Sequence, residues 1–69
     1  MFELYDIVEL IHDREDLGLK QGTRGTVIDY VKSDNVYSVE FYDETGETIE
    51  SSIFEYYTPD ELKFVERPI

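Results

Sequence analysis

Between Val36 and Tyr42 the side chains alternate without interruption, with Tyr37, Val39 and Phe41 on one side and Ser38, Glu40 and Tyr42 on the other. A period of two suits a half-buried strand rather than a helix, and it assigns the first set to a core. The neighbouring segments are of the same kind. Tyr5 to Ile11 is rich in β-formers and runs into the polar stretch His12-Asp13-Arg14-Glu15-Asp16, which reads as a first strand followed by a long loop. Gly25 to Val31 reads as a second strand, with Gly22 and Gly25 where tight turns or bulges are easily made. Lys32-Ser33-Asp34-Asn35 is a polar turn into the alternating segment.

After Tyr42 the turn Asp43-Glu44-Thr45-Gly46 admits two registers. A three-residue loop with Gly46 left-handed sets Phe41 opposite Ile49 and Tyr37 opposite Ile53, whereas one more loop residue would set Glu40 beside Ile49. The first register keeps the apolar side apolar, and it predicts a fourth strand from Glu47 to Phe54. Thr58-Pro59-Asp60-Glu61 carries the capping-box pattern with proline at the first helical position, so a single helical turn is expected there. Leu62 to Glu66 then reads as a last short strand. There is no internal repeat or linker. The expected architecture is all-β: one domain over residues 1–69, a small five-stranded SH3-like barrel with one short helical turn before the last strand. An OB-type barrel is the competing topology, and it usually needs more residues and a longer helix.

Charge narrows the class of function. Seventeen acidic residues oppose six basic ones for a net charge of −11, and from Ser33 to Leu62 there is no lysine or arginine. Such a composition suits disorder, but ten aromatic residues among β-branched ones supply a core to bury. The absence of cysteine removes disulfides and thiolate metal sites. Met1-Phe2-Glu3-Leu4-Tyr5-Asp6 has neither the basic nor the apolar region of a signal peptide, and no stretch approaches a membrane span. A cytoplasmic location without a membrane partner is expected.

Leu4-Tyr5-Asp6-Ile7-Val8, the run from Gly18 to Val27, and Val39-Glu40-Phe41 followed by Gly46-Glu47-Thr48 together resemble a small bacterial family catalogued as domain of unknown function 4926. The glycine run is also similar to the KOW-type motif of ribosome and transcription factors. The resemblance implies a short SH3-like barrel, and for some members a gene neighbourhood with toxin-like partners, hence an immunity or antitoxin role. It brings no catalytic residues. The chain departs from the family pattern at Glu50-Ser51-Ser52, where small and apolar residues are expected.

In the preferred register Glu40 falls opposite Glu50 on the outer face, and Asp43 faces Glu47 at the hairpin mouth. Like charges directly across strands destabilise by roughly 0.2–1 kcal/mol. Such a face either protects the sheet by solvation or presents Glu40, Asp43, Glu44, Glu47 and Glu50, flanked by Tyr42, to a basic protein surface. Tyr57 is a candidate groove residue, beside the alternative that it packs on the core. Phosphate is repelled by so acidic a body, and Lys20, Arg24 and Lys32 form the largest local basic group. His12 is the lone histidine, and Ser33, Ser38, Ser51 and Ser52 sit in no nucleophile motif, so no catalytic residue and no enzyme is expected. Asp13, Glu15 and Asp16 lack the spacing of a calcium loop; neither metal nor cofactor is expected. The function expected is an acidic protein-binding module, an immunity- or antitoxin-type inhibitor occluding a basic partner protein such as a nuclease. A non-inhibitory adaptor for peptides or subunits and a KOW-like nucleic-acid module are the alternatives.

Overall fold

The computed structural model describes residues 1–68. Four strands, β1 (Ile7–Leu10), β2 (Arg24–Val31), β3 (Val36–Phe41) and β4 (Leu62–Glu66), form one antiparallel sheet in the order β3-β2-β1-β4. The alternation in β3 sends Tyr37, Val39 and Phe41 inward as the sequence indicates, while Ser38, expected on the outer side, is buried as well. Tyr37, Val39 and Phe41 are buried with Val8, Leu10, Leu19, Val27, Tyr57 and Leu62. Large rings fill the small interior, Phe41 meeting Tyr57 edge to face at 5.1 Å and Phe2 meeting Tyr37 at 5.2 Å.

The first strand begins later than expected because the chain turns just before it. Asp6 N–H donates to the Glu3 carbonyl at 3.1 Å, and Tyr5 is held at φ 70°, a left-handed conformation unusual for a bulky side chain. The regular ladder with β2 starts at Ile7, opposite Thr26, while the turn itself is bonded to Val27 of β2 through the Tyr5 N–H at 2.7 Å and the Asp6 carbonyl at 2.9 Å. The long loop after β1 contains a 3-10 turn, Glu15–Leu17, and a second 3-10 turn, Pro59–Glu61, precedes β4 where the capping box places it. There the Glu61 carboxylate accepts from the Thr58 N–H at 2.9 Å.

The expected fourth strand is corrected. The hairpin starts in the preferred register: Gly46 is left-handed at φ 88°, Asp43 N–H donates to the Glu47 carbonyl at 2.8 Å, Tyr42 bridges Thr48, and Ile49 N–H donates to the Phe41 carbonyl at 2.8 Å. Then the chain leaves the sheet. Glu50–Ile53 forms one turn of α-helix, α1, packed against β3. Among the described residues the sheet has four strands and does not close. Glu50 consequently does not sit across from Glu40, and Tyr37 pairs with Tyr57 in place of Ile53.

Ser52 supplies the physical reason. Its buried hydroxyl accepts from the Phe41 N–H at 3.0 Å and donates to the Ile49 carbonyl at 2.6 Å, so one side chain provides the bond that a strand carbonyl would have made. Replacing Ser52 by alanine leaves a buried N–H of β3 without that acceptor. Equilibrium urea unfolding is expected to show a loss of about 1–3 kcal/mol; an unchanged midpoint would contradict this role.

Candidate functional site

The acidic residues singled out in the sequence occupy two different situations. Asp43, Glu44, Glu47 and Glu50 are exposed, whereas Glu40 and Tyr42 are half-buried and tied into the sheet. Tyr42 donates to Glu40 Oε1 at 2.9 Å and Thr48 donates to Glu40 Oε2 at 3.2 Å. With its own hydrogen so used, the Tyr42 oxygen is left to accept from the Thr26 hydroxyl of β2 at 3.2 Å. Glu40 thus fastens the hairpin to β2 and β3.

Asp43 shapes the turn. Its Oδ1 accepts from the Thr45 hydroxyl at 2.6 Å, the Thr45 N–H at 2.9 Å and the Glu47 N–H at 3.0 Å. These bonds, the Thr45 hydroxyl foremost, hold its carboxyl below the ordinary aspartate value. The hairpin tip therefore carries a fixed negative charge beside the freely exposed Glu44 and Glu47.

Tyr57 is corrected from a groove residue to a core residue. It is wholly buried, its hydroxyl donates to the Ser52 carbonyl at 2.9 Å, and the Arg14 guanidinium lies 5.4 Å over its ring. Burial pushes the phenol up to about 12. The exposed aromatics nearby are Phe54, 78% exposed, and Tyr56, 57% exposed; sequence reasoning weighed Tyr56 with Tyr57 and missed Phe54 as a surface group. A signal was present for Tyr56, because adjacent residues in extended chain point to opposite sides and only one of the pair can enter the core. Phe54 follows α1 directly as its C-cap residue.

The basic residues are dispersed and largely engaged. Arg14 pairs with Asp16 at 3.2 Å and Glu61 at 3.3 Å, Arg24 with Glu9 at 3.3 Å, and Arg67 with Asp6 at 2.8 Å. Lys32 follows the far end of β2 from Arg24, so the three cations singled out in the sequence do not form one patch. Lys20 and Arg24 do share a cleft of about 530 Å³ with the hairpin. Gly18, Asp43, Glu44 and Ile49 line it with them, and Arg24 is joined directly to the hairpin, its carbonyl accepting from the Tyr42 N–H at 3.0 Å.

Asp6 was not legible as special. Its side chain is fully buried, receives both Nε (2.8 Å) and Nη2 (3.0 Å) of Arg67, and accepts from the Glu3 N–H at 2.8 Å. This carboxylate holds the start of β1 against the residue that follows β4. Among the described residues no group of three or more His, Cys, Asp or Glu is placed to hold a metal ion, and no helix is long and apolar enough to cross a membrane.

A family model described as a domain of unknown function (DUF4926) matches residues 4–56. Curated proteins and solved structures give no match. The matched span includes the glycine loop, the hairpin and α1, while the core residues Tyr57 and Leu62 and the Asp6 partner Arg67 lie beyond it.

Proposed function

Since the chain belongs to the DUF4926 family, we propose that it is an acidic protein-binding module of the immunity or antitoxin type, occluding a basic partner protein such as a nuclease. The observation that carries this reading is the pairing of exposed carboxylates with exposed rings in a segment without cations. Asp43, Glu44, Glu47 and Glu50 stand free of arginine or lysine neighbours in sequence, and Phe54 and Tyr56 add apolar surface to the same stretch. Carboxylates accelerate encounter with a basic surface, and desolvated aromatic rings supply the contacts that slow dissociation. A solvated face that only prevents aggregation has no need of a phenylalanine 78% exposed.

An SH3-like arrangement belongs to the same proposal. The strand order, the long loop after the first strand, the Gly46 hairpin and the 3-10 turn before the last strand support it. In this chain the strand after the hairpin would be reduced to the Tyr42–Thr48 bridge and replaced by α1.

Affinity capture from the native host, followed by titration of the captured protein, tests the proposal. Phe54→Ala is expected to weaken binding by about 2 kcal/mol, roughly thirtyfold, as for a central aromatic anchor. Glu44→Gln, Glu47→Gln and Glu50→Gln together are expected to slow association. A captured partner that is not basic, or one whose affinity is indifferent to both variants, would overturn it. Loss of the partner's own activity on binding separates inhibition from an adaptor role.

A further inference from the structure

On the edge of β3 away from β2, the backbone groups of Tyr37, Val39 and Phe41 point outward, an alternation fixed by the Tyr42 N–H bond to the Arg24 carbonyl in the β2–β3 ladder. Tyr37 exchanges both of its bonds with Tyr57 at 2.8 Å, and the Phe41 carbonyl accepts from the Ile49 N–H at 2.8 Å. Val39, between them, is wholly buried, and among the described residues neither its N–H nor its carbonyl meets a partner on that edge. Buried backbone groups are nearly always paired, because each has given up its bond to water. Continued in register past Ile49, the hairpin would bring Ser51 opposite Val39, but Ser51 lies in α1.

The pair before it is held half open. Phe41 and Ile49 stand where an antiparallel pair exchanges two bonds, and only the one from the Ile49 N–H is direct. In place of the other, Ser52 Oγ stands between the Phe41 N–H at 3.0 Å and the Ile49 carbonyl at 2.6 Å. The hydroxyl is thus a wedge in the ladder, carried by a weak element. α1 is one turn of four residues with no side-chain cap at its N-terminus, and a helix so short has no stability of its own. Its other fastening is the Tyr57 hydroxyl, which donates to the Ser52 carbonyl at 2.9 Å.

We infer that Glu50–Ile53 exchanges between this turn and an extended form that continues the hairpin along β3. In the extended form the Ser52 hydroxyl withdraws, the Phe41 N–H bonds directly to the Ile49 carbonyl, and Ser51 pairs with Val39. The bonds of the turn are given up, and one bond at Phe41 and two at Val39 are gained. Ile49 keeps its place against the core in either form. Charge sets the balance: extension puts Glu50 directly across from Glu40, and like charges in that position destabilise a ladder. The turn is therefore the ground form and the strand the minor one. The two forms present Glu50 and Phe54 differently, so a partner that fits the turn selects it. That consequence rests on the proposed function; the exchange itself does not.

NMR of the full chain without any partner tests the exchange. Relaxation dispersion on the microsecond-to-millisecond scale is expected at the amides of Val39, Phe41, Ser51 and Ser52 and not at those of β1. Glu50→Gln, at an exposed position, is expected to raise the minor population severalfold by relieving the repulsion from Glu40. Ser51→Val with Ser52→Val removes the wedge and supplies β-branched residues, so the strand should become the major form. Its marks are a close Hα–Hα contact between Glu40 and Glu50, as in a non-hydrogen-bonded pair, and exchange of the Val39 amide with solvent at least about tenfold slower than in the parent. If the double variant unfolds, Glu50→Gln reads the same equilibrium. Flat dispersion at these amides in both the parent and Glu50→Gln, or a folded double variant without the Glu40–Glu50 contact, would overturn the inference. Either result leaves the Phe54 and hairpin titrations to stand or fall separately.

Discussion

Gly25→Ala is expected to lower stability by about 2–3 kcal/mol, the upper part of the usual range for overpacking a tight interior. Gly25 is buried in β2 and pairs with Phe41 of β3. A Cβ there would lie 2.6 Å from the Glu40 carbonyl oxygen, 2.8 Å from Val39 Cγ1 and 2.9 Å from Phe41 Cδ1. The first neighbour is backbone within the β2–β3 ladder, so relief requires the ladder itself to open. Two core side chains are pressed as well. Reduced chain entropy in the unfolded state returns about 0.4–1 kcal/mol for a glycine replaced without strain, too little to offset the clash. For a domain of this size the melting temperature should fall by roughly 10–20 °C. A variant as stable as the parent would show that β2 and β3 are not packed this closely.

Asp6→Ala is the second large effect, and it carries a pH signature. The substitution removes a buried carboxylate that receives two bonds from Arg67 and one from the Glu3 N–H, and about 2–3 kcal/mol should be lost at neutral pH. The hydrogen bonds from Arg67 hold the Asp6 carboxyl below its ordinary value of 3.8. A carboxyl whose folded pKa is depressed contributes stability that is fully present above the unfolded pKa and is lost as pH falls through the folded one. Acid also relieves repulsion among seventeen acidic residues, so the stability of the parent alone is ambiguous. The difference between parent and variant is not. It should be constant above about pH 5 and shrink as pH falls below about 4, measured by urea unfolding across that range. A difference independent of pH would mean that the Asp6 charge contributes nothing.

Sequence reasoning reached those parts of the molecule whose causes are local. The alternation of Tyr37, Val39 and Phe41 set the buried face of β3, the Thr58–Glu61 box set the 3-10 turn, and a left-handed Gly46 set the hairpin register. The next segment misled because Ile49 and Ile53 are four residues apart. That spacing keeps two side chains on one side in a strand and also on one face of a helix, so the apolar pattern was satisfied by both. Ser52 decided between them, through a bond to the Phe41 N–H eleven residues away. Asp6 and Arg67 are separated by 61 residues, and no periodicity or turn chemistry connects them. Of the candidate surface residues, Glu44, Glu47 and Glu50 were placed outside by charge alone, Asp43 and Glu40 were absorbed into the hairpin by hydrogen bonds, and Tyr57 and Tyr56 differ in fate only through the pairing of Tyr57 with Tyr37.

The central claim is that charge on the hairpin and α1 guides a basic protein onto this chain, and the rate of association reads it most directly. Stopped-flow or surface measurements would follow the chain and its captured partner at about 20 mM and 300 mM sodium chloride, where the screening length differs roughly fourfold. A fall of at least about tenfold in the association rate constant is predicted for the parent, and a much smaller fall for the variant carrying Glu44→Gln, Glu47→Gln and Glu50→Gln. Equal association rates at the two salt concentrations would contradict electrostatic recognition by this face.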